Sequence, residues 1–111
     1  TTEEAGAAAA AALLASGEKF DAILAASDLI AIGAMRELQA AGRSIPDDVA
    51  VVGFDDIPAA SSAAPPLTTV MQDPRLAGRK LVETLIGRIR EQPVGSALLP
   101  TKLVVRKSCG A

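Results

Sequence analysis

The chain contains no histidine, no tryptophan and no tyrosine, and it has only two phenylalanines and one cysteine. Histidine is the side chain most often used for acid–base catalysis near neutral pH and is the commonest metal ligand, so its absence argues against both roles. Cys109 has no second cysteine in the chain with which to form a disulfide. With so few aromatic residues, the core has to be built from Ala, Leu, Ile and Val.

Other features of common functional classes are also absent. The chain has no phosphate-binding P-loop, no Gly-x-Gly-x-x-Gly turn and no Gly-x-Ser-x-Gly nucleophile elbow. Its net charge of −2 gives no basic surface for nucleic acid. No apolar run reaches the roughly 18 residues of a membrane helix, and residues 7–14 lack the basic start of a signal peptide. We therefore expect a protein without catalytic activity, cofactor, bound metal or membrane contact. The expected location is the cytoplasm, with the periplasm as the alternative.

What the sequence does contain is an alternation of apolar strands and amphipathic helices. The 111 residues, half of them hydrophobic, suffice for one small domain. Apolar spacing predicts helices over about 2–16, 28–41 and 74–90, and Thr1 with Glu4 forms a capping box. Residues 56–64 are a loop or a short helical turn. Unbroken apolar runs predict strands at 21–26, 49–54, 67–71 and 98–106. This alternation favours an α/β fold with a mainly parallel sheet.

Polar residues follow three of these strands. Ser27 and Asp28 follow the first strand, Asp55 the second and Gln72 the third. The carboxyl ends of parallel strands share one edge of a sheet, so we expect these side chains to meet. Carboxylate and amide oxygens accept hydrogen bonds from several hydroxyls, which suits a neutral, hydroxyl-bearing small molecule. Each acid also has a structural interpretation, Asp28 as a helix N-terminal acid and Asp55 as a loop cap.

Four segments, in their order and spacing, resemble the lactose-repressor (LacI/GalR) family of bacterial transcription regulators. They are AASDLIAIGAM at 25–35, IPDDVAVVGFDD at 45–56, PPLTTVMQD at 65–73 and LPTKLVVRKS at 99–108. Because their order and spacing agree throughout, the resemblance covers nearly the whole chain.

The resemblance implies a fold and a ligand site. The fold is a three-layer, Rossmann-like lobe of the class I periplasmic-binding-protein type. In the family a sugar or nucleoside-like effector binds in a cleft between two lobes. The resemblance places Asp55 on the effector hydroxyls and Ser27 and Gln72 at the cleft, with Asp28 beside them. Many relatives carry Asn at the position of Ser27, and a larger residue is common at the position of Pro74.

The resemblance is limited to the carboxyl-terminal part of the family's effector domain. It implies that residues 1–73 belong to the carboxyl-terminal lobe and that 101–111 return to it. Residues 74–100 would pack on an amino-terminal lobe outside this chain. Operator DNA would be contacted only through a head that is also outside it. We therefore expect the helix at 74–90 to expose an apolar stripe consisting of Leu76, Leu81, Leu85 and Ile89.

The resemblance also implies a homodimer. The expected interface consists of Ile32, Met35, Arg36, Ala63 and Pro65, with core packing as the alternative for Ile32 and Met35. Arg36 is otherwise a solvated charge.

Two other functions compete with a sugar-responsive regulator. A lobe of a periplasmic sugar-binding transport protein would share the architecture, so the fold alone does not separate the two. The PPLTTVMQD segment and the basic final strand favour the regulator. A small α/β enzyme is a third possibility, disfavoured by the missing catalytic motifs.

Overall fold

A computed structural model describes residues 2–111, which divide into two compact units. The first unit comprises the chain up to Met71 together with residues 103–111, and the second comprises residues 72–102. The first contains helices α1 (Glu3–Ala15), α2 (Asp28–Ala40) and α3 (Pro58–Ser62) and strands β1 (Ala22–Leu24) and β2 (Ala50–Val52). Helix α4 (Pro74–Ile89) lies in the second unit. Strands β3 (Thr69–Gln72) and β4 (Thr101–Val104), which pair with each other, carry the chain between the units.

Helix α1 begins at a side-chain cap. The Thr2 hydroxyl accepts a hydrogen bond from the Ala5 amide at 3.0 Å, which satisfies one of the free donors of the first turn. The predicted cap, Thr1, lies outside the described residues. Helix α1 packs against α2 at Gly6 and Gly33, where a Cβ on either glycine would overlap the backbone of the opposite helix. Only glycine permits this approach.

The sheet of the first unit is parallel, as predicted. Strands β1 and β2 pair in parallel with Ala22 opposite Ala50. Parallel bridges at Val52–Thr68 and Asp55–Met71 then bring the segment around β3 alongside β2. The observed strands are shorter than the apolar runs that predicted them. An apolar run indicates that a segment is buried, whereas a strand extends only where the backbone is hydrogen-bonded to a neighbouring strand.

The hydrophobic core lies between α2 and this sheet. Its fully buried apolar residues are Ala31, Leu38, Val49, Val51, Ala60 and Leu67. The predicted α/β class is confirmed. The core is mostly aliphatic, as expected, but it also includes Met35, and Phe20 packs against it. Among residues 2–111, no helix combines the length and the hydropathy required to cross a membrane.

The second unit is built on α4. The Asp73 carboxylate caps it by accepting hydrogen bonds from the amides of Arg75 and Leu76 at 3.0 and 3.1 Å. Pro74 occupies the first turn, where its missing N–H costs nothing. Residues 94–99 run beside the helix, and the Val94 side chain fits against Gly87.

The expected apolar stripe on α4 is largely exposed. Leu81, Leu85 and Ile89 are 71%, 60% and 72% exposed, and Leu76 is half-buried. The observed division between the units, at 71/72 and 102/103, lies two residues from the predicted boundaries. That α4 packs on another lobe stays a prediction.

Candidate functional site

The loops that follow the strands of the first unit are held together by backbone hydrogen bonds. The Asp28 amide donates to the Phe54 carbonyl at 2.9 Å, and the Asp55 amide donates to the Val70 carbonyl at 2.9 Å. The structure thus places Ser27, Asp28 and Asp55 at one edge of the sheet. Gln72 is the first residue of the second unit, and its predicted place at the same site stays a prediction.

Ser27 is the N-cap of α2. Its backbone is extended, and its Oγ accepts a hydrogen bond from the Ile30 amide at 3.3 Å. The residue is only 5% exposed. Ser27 therefore has a structural role at the edge of the sheet whether or not it also contacts a ligand.

Asp28 is fully buried, and both of its carboxylate oxygens have partners. Oδ2 accepts from the Ile57 amide at 2.9 Å, and Oδ1 accepts from the Thr69 hydroxyl at 2.6 Å. Gly53 lies against this carboxylate, and a Cβ at that position would overlap it. Asp28 therefore ties the start of α2 to β3 and to the loop before α3. This geometry favours its structural interpretation, and a direct ligand contact stays a prediction.

Asp55 and Asp56 both have a left-handed backbone. Asp55 has a φ of 120° and Asp56 a φ of 56°, values that residues other than glycine seldom adopt. The Asp55 side chain is exposed, whereas Asp56 is half-buried. Unusual backbone conformations of this kind persist only where the surroundings hold them, and they are concentrated at functional sites.

Arg106 contacts the second of these acids, Asp56. Its Nη2 donates to Asp56 Oδ1 at 2.9 Å, and its Nη1 donates to the Leu67 carbonyl at 2.9 Å. The side chains of Arg106 and Asp56 are only 20% and 19% exposed, so the pair is shielded from solvent. Sequence reasoning missed this contact because the two residues lie 50 positions apart and nothing in a lone arginine identifies its partner.

The Thr68 hydroxyl extends this network. It accepts a hydrogen bond from the Arg106 amide at 2.8 Å and lies 3.0 Å from the Cys109 sulfur, to which it donates. That donation lowers the pKa of the Cys109 thiol below its ordinary value because it favours the thiolate, while burial acts weakly in the opposite direction. Within residues 2–111, no group of three or more acidic or cysteine side chains is placed to hold a metal ion.

The residues of the expected dimer surface differ in exposure. Ile32 and Met35 are 7% and 2% exposed and belong to the core, whereas Arg36 is exposed and pairs with Glu3. Ala63 and Pro65 are half-buried. A groove of about 310 Å³ lies between α2 and α3, lined by Ile32, Met35, Arg36, Gln39, Ser62, Ala63 and Ala64. The dimer contact itself stays a prediction.

Comparison with known proteins places this architecture in a family. Residues 1–109 match the periplasmic binding protein-like domain. The HTH-type transcriptional regulator CelR of Thermobifida fusca is 44% identical over 110 residues, a match covering 96% of this chain and 32% of that protein. This chain thus spans about a third of that relative's length.

Solved structures agree with this assignment. A lac repressor dimer bound to operator and the anti-inducer ONPF superimposes with a TM-score of 0.92 at 39% identity, covering 99% of this chain and 39% of that one. A CelR–cellobiose complex superimposes with a TM-score of 0.88 at 43% identity, covering 96% and 33%. These relatives are transcription regulators, so the alternative of a transport protein is not favoured. The chain belongs to the periplasmic binding protein-like domain family and, within it, to the LacI-type transcription regulators.

Proposed function

We propose that this chain is the effector-binding and dimerising part of a cytoplasmic, DNA-binding transcription regulator whose effector is a sugar or a related polyol. Operator DNA would be contacted by a head outside this chain. The chain itself carries out no catalysis in this proposal, and it requires neither a cofactor nor a metal.

The observation that carries the proposal is the exposed position of Asp55 at the edge of the sheet. Its left-handed backbone lies just past the end of β2, and its amide is bonded to the β3 segment. Ligands of open α/β sheets bind outside the carboxyl ends of the strands, which is where this side chain lies. A strained and braced backbone that presents an exposed acid is typical of a binding site.

The chemistry of this edge suits hydroxyl groups better than anions. A carboxylate is an acceptor with two oxygens, and it can bind two neighbouring hydroxyls of a sugar ring. The guanidinium of Arg106 is already engaged by Asp56 and by the Leu67 carbonyl, which makes it a poor partner for an anionic ligand. The related CelR forms a complex with cellobiose, which supports a sugar as the class of effector. Ser27 and Asp28 lie at the same edge of the sheet and are the other proposed contacts in the first unit, and Gln72 is a further predicted contact.

The test is a titration of the chain with cellobiose and with lactose. Binding is monitored by NMR through changes in the amide resonances of Ser27 and Asp55. We expect dissociation constants in the millimolar range or weaker, because one lobe makes only half the contacts of a closed cleft. Asp55→Asn removes a charge-assisted hydrogen bond and should weaken binding about tenfold or more.

The matched control is Asp47→Asn, which neutralises an exposed acid away from the site and should leave binding unchanged. Equal binding by Asp55→Asn and the unmodified chain would contradict the assignment of Asp55. Sub-micromolar binding by the chain would contradict the need for a second lobe.

A further inference from the structure

We infer that Arg106 is a positioning residue for ligand binding, which holds the Asp55 carboxylate in place through Asp56. The inference rests on the proposed function of Asp55. Arg106 is not one of the proposed ligand contacts, and it lies outside the loops at the carboxyl edge of the sheet.

The loop that contains Asp55 has an unusual backbone conformation that has to be maintained. Asp55 and Asp56 are consecutive, and both have positive φ values. An L residue in this region crowds its Cβ against its own backbone, so a free loop would leave the conformation. These two φ angles shape the loop that presents the Asp55 side chain. Contacts from outside the loop must therefore maintain them.

The contacts on this loop come from β3 and from Arg106. The Asp55 amide donates to Val70, and the Asp56 amide lies at the long distance of 3.4 Å from the Thr69 hydroxyl. The side-chain contact on Asp56 is stronger, since the guanidinium of Arg106 donates to its carboxylate at 2.9 Å with both groups largely buried. Hydrogen bonds between charged partners are roughly twice as strong as those between neutral ones.

Arg106 is itself anchored by hydrogen bonds to the segment that enters β3. Its amide donates to Thr68, and its second guanidinium nitrogen donates to the Leu67 carbonyl. The guanidinium of Arg106 therefore links the Leu67 carbonyl, just before β3, to the carboxylate of Asp56. Lysine cannot reproduce this fork because its ammonium is a single point charge. Arg106 also lies two residues beyond β4, on the segment by which the chain returns to the first unit.

The test begins with hydrogen exchange, which requires no ligand. In Arg106→Gln and in Asp56→Asn, the Asp55 and Asp56 amides should exchange about ten to a hundred times faster, as expected for the loss of a charged hydrogen bond. Arg106→Lys should fall in between. The matched control is Lys107→Gln, which removes a neighbouring exposed charge and should change neither amide.

The Ala25 amide, which donates to the Val52 carbonyl, reports on the sheet itself. Unchanged exchange at Asp55 in Arg106→Gln and Asp56→Asn would overturn the inference. It would also be overturned if all the variants accelerated Ala25 as much as Asp55, because Arg106 would then contribute only general stability.

The second measurement is a double-mutant cycle on cellobiose affinity. If Arg106 acts through Asp55, then Asp55→Asn combined with Arg106→Gln should bind no more weakly than Asp55→Asn alone. Additive losses would overturn the inference and leave the proposed function intact. No loss in Asp55→Asn would instead refute the assignment of Asp55, while the exchange data would still test the brace.

Discussion

At the scale of single residues, the buried carboxylate of Asp28 organises the edge of the sheet on which the exposed acid is displayed. Its two oxygens take up the Ile57 amide and the Thr69 hydroxyl. Gly53 leaves the space that the carboxylate occupies. The position of an aspartate at the start of α2 could be anticipated from capping preferences, but its partners at Ile57 and Thr69 could not.

Asp28→Ala should destabilise the chain strongly. The change leaves the buried Thr69 hydroxyl and the half-buried Ile57 amide without their acceptor. Each such donor costs about 1–3 kcal/mol, so the free energy of unfolding should fall by about 2–6 kcal/mol. Urea denaturation followed by circular dichroism measures this. Asp47→Ala, at an exposed position, is the control and should change stability by less than about 0.5 kcal/mol. A loss for Asp28→Ala as small as that of the control would show that these hydrogen bonds contribute little.

Residue types and their order were sufficient to locate much of the candidate site. Asp55 and Ser27 follow apolar runs that end at the same edge of the sheet, and the structure places both there. Arg106 was beyond sequence reasoning because its significance arises from a contact across 50 residues. The positive φ values of Asp55 and Asp56 were equally hidden, since neither residue is the glycine that such angles usually indicate.

At the scale of elements, helix α4 has the sequence of a helix with one buried face, but that face is largely exposed. Its apolar residues recur at helical spacing, as in a helix with one buried face, yet Leu81, Leu85 and Ile89 are mostly exposed. Contiguous apolar surface of this kind favours association. Its ends follow local rules, with Asp73 as cap and Pro74 in the first turn, which explains why its bounds were predicted closely.

Leu85→Gln should reduce association of the chain. The substitution removes apolar area from the middle of the exposed stripe, so binding of a hydrophobic dye and the rise of mass with concentration should both decrease. Glu83→Gln, on the same helix and also exposed, is the matched control and should leave both unchanged. If Leu85→Gln behaves like this control, the stripe does not drive association.

At the scale of the whole molecule, the solution mass is the most informative quantity. We expect light scattering to detect a dimer or a larger species, and two surfaces compete to explain it. Ala63→Arg introduces a large charge beside the groove between α2 and α3 and should lower the mass if that groove is the interface.

Ala59→Arg, at an exposed position on helix α3, which ends just before Ala63, is the control for this experiment. A mass that responds to Leu85→Gln but not to Ala63→Arg would assign association to α4. A monomer at every concentration would contradict both surfaces. Met35 is unsuited to such a test because it is only 2% exposed and its substitution would disturb the core.

The class of fold, the order of the elements and the residue types at the carboxyl edge of the sheet could all be derived from the amino-acid sequence. Apolar periodicity, caps and breakers act within a few residues, and they are therefore legible along the chain. Tertiary packing was needed to establish which strands pair, that Asp28 is buried while Asp55 is exposed, and that Arg106 pairs with Asp56 in the loop after β2. These features depend on contacts between distant residues, whose partners are determined by packing rather than by local preference.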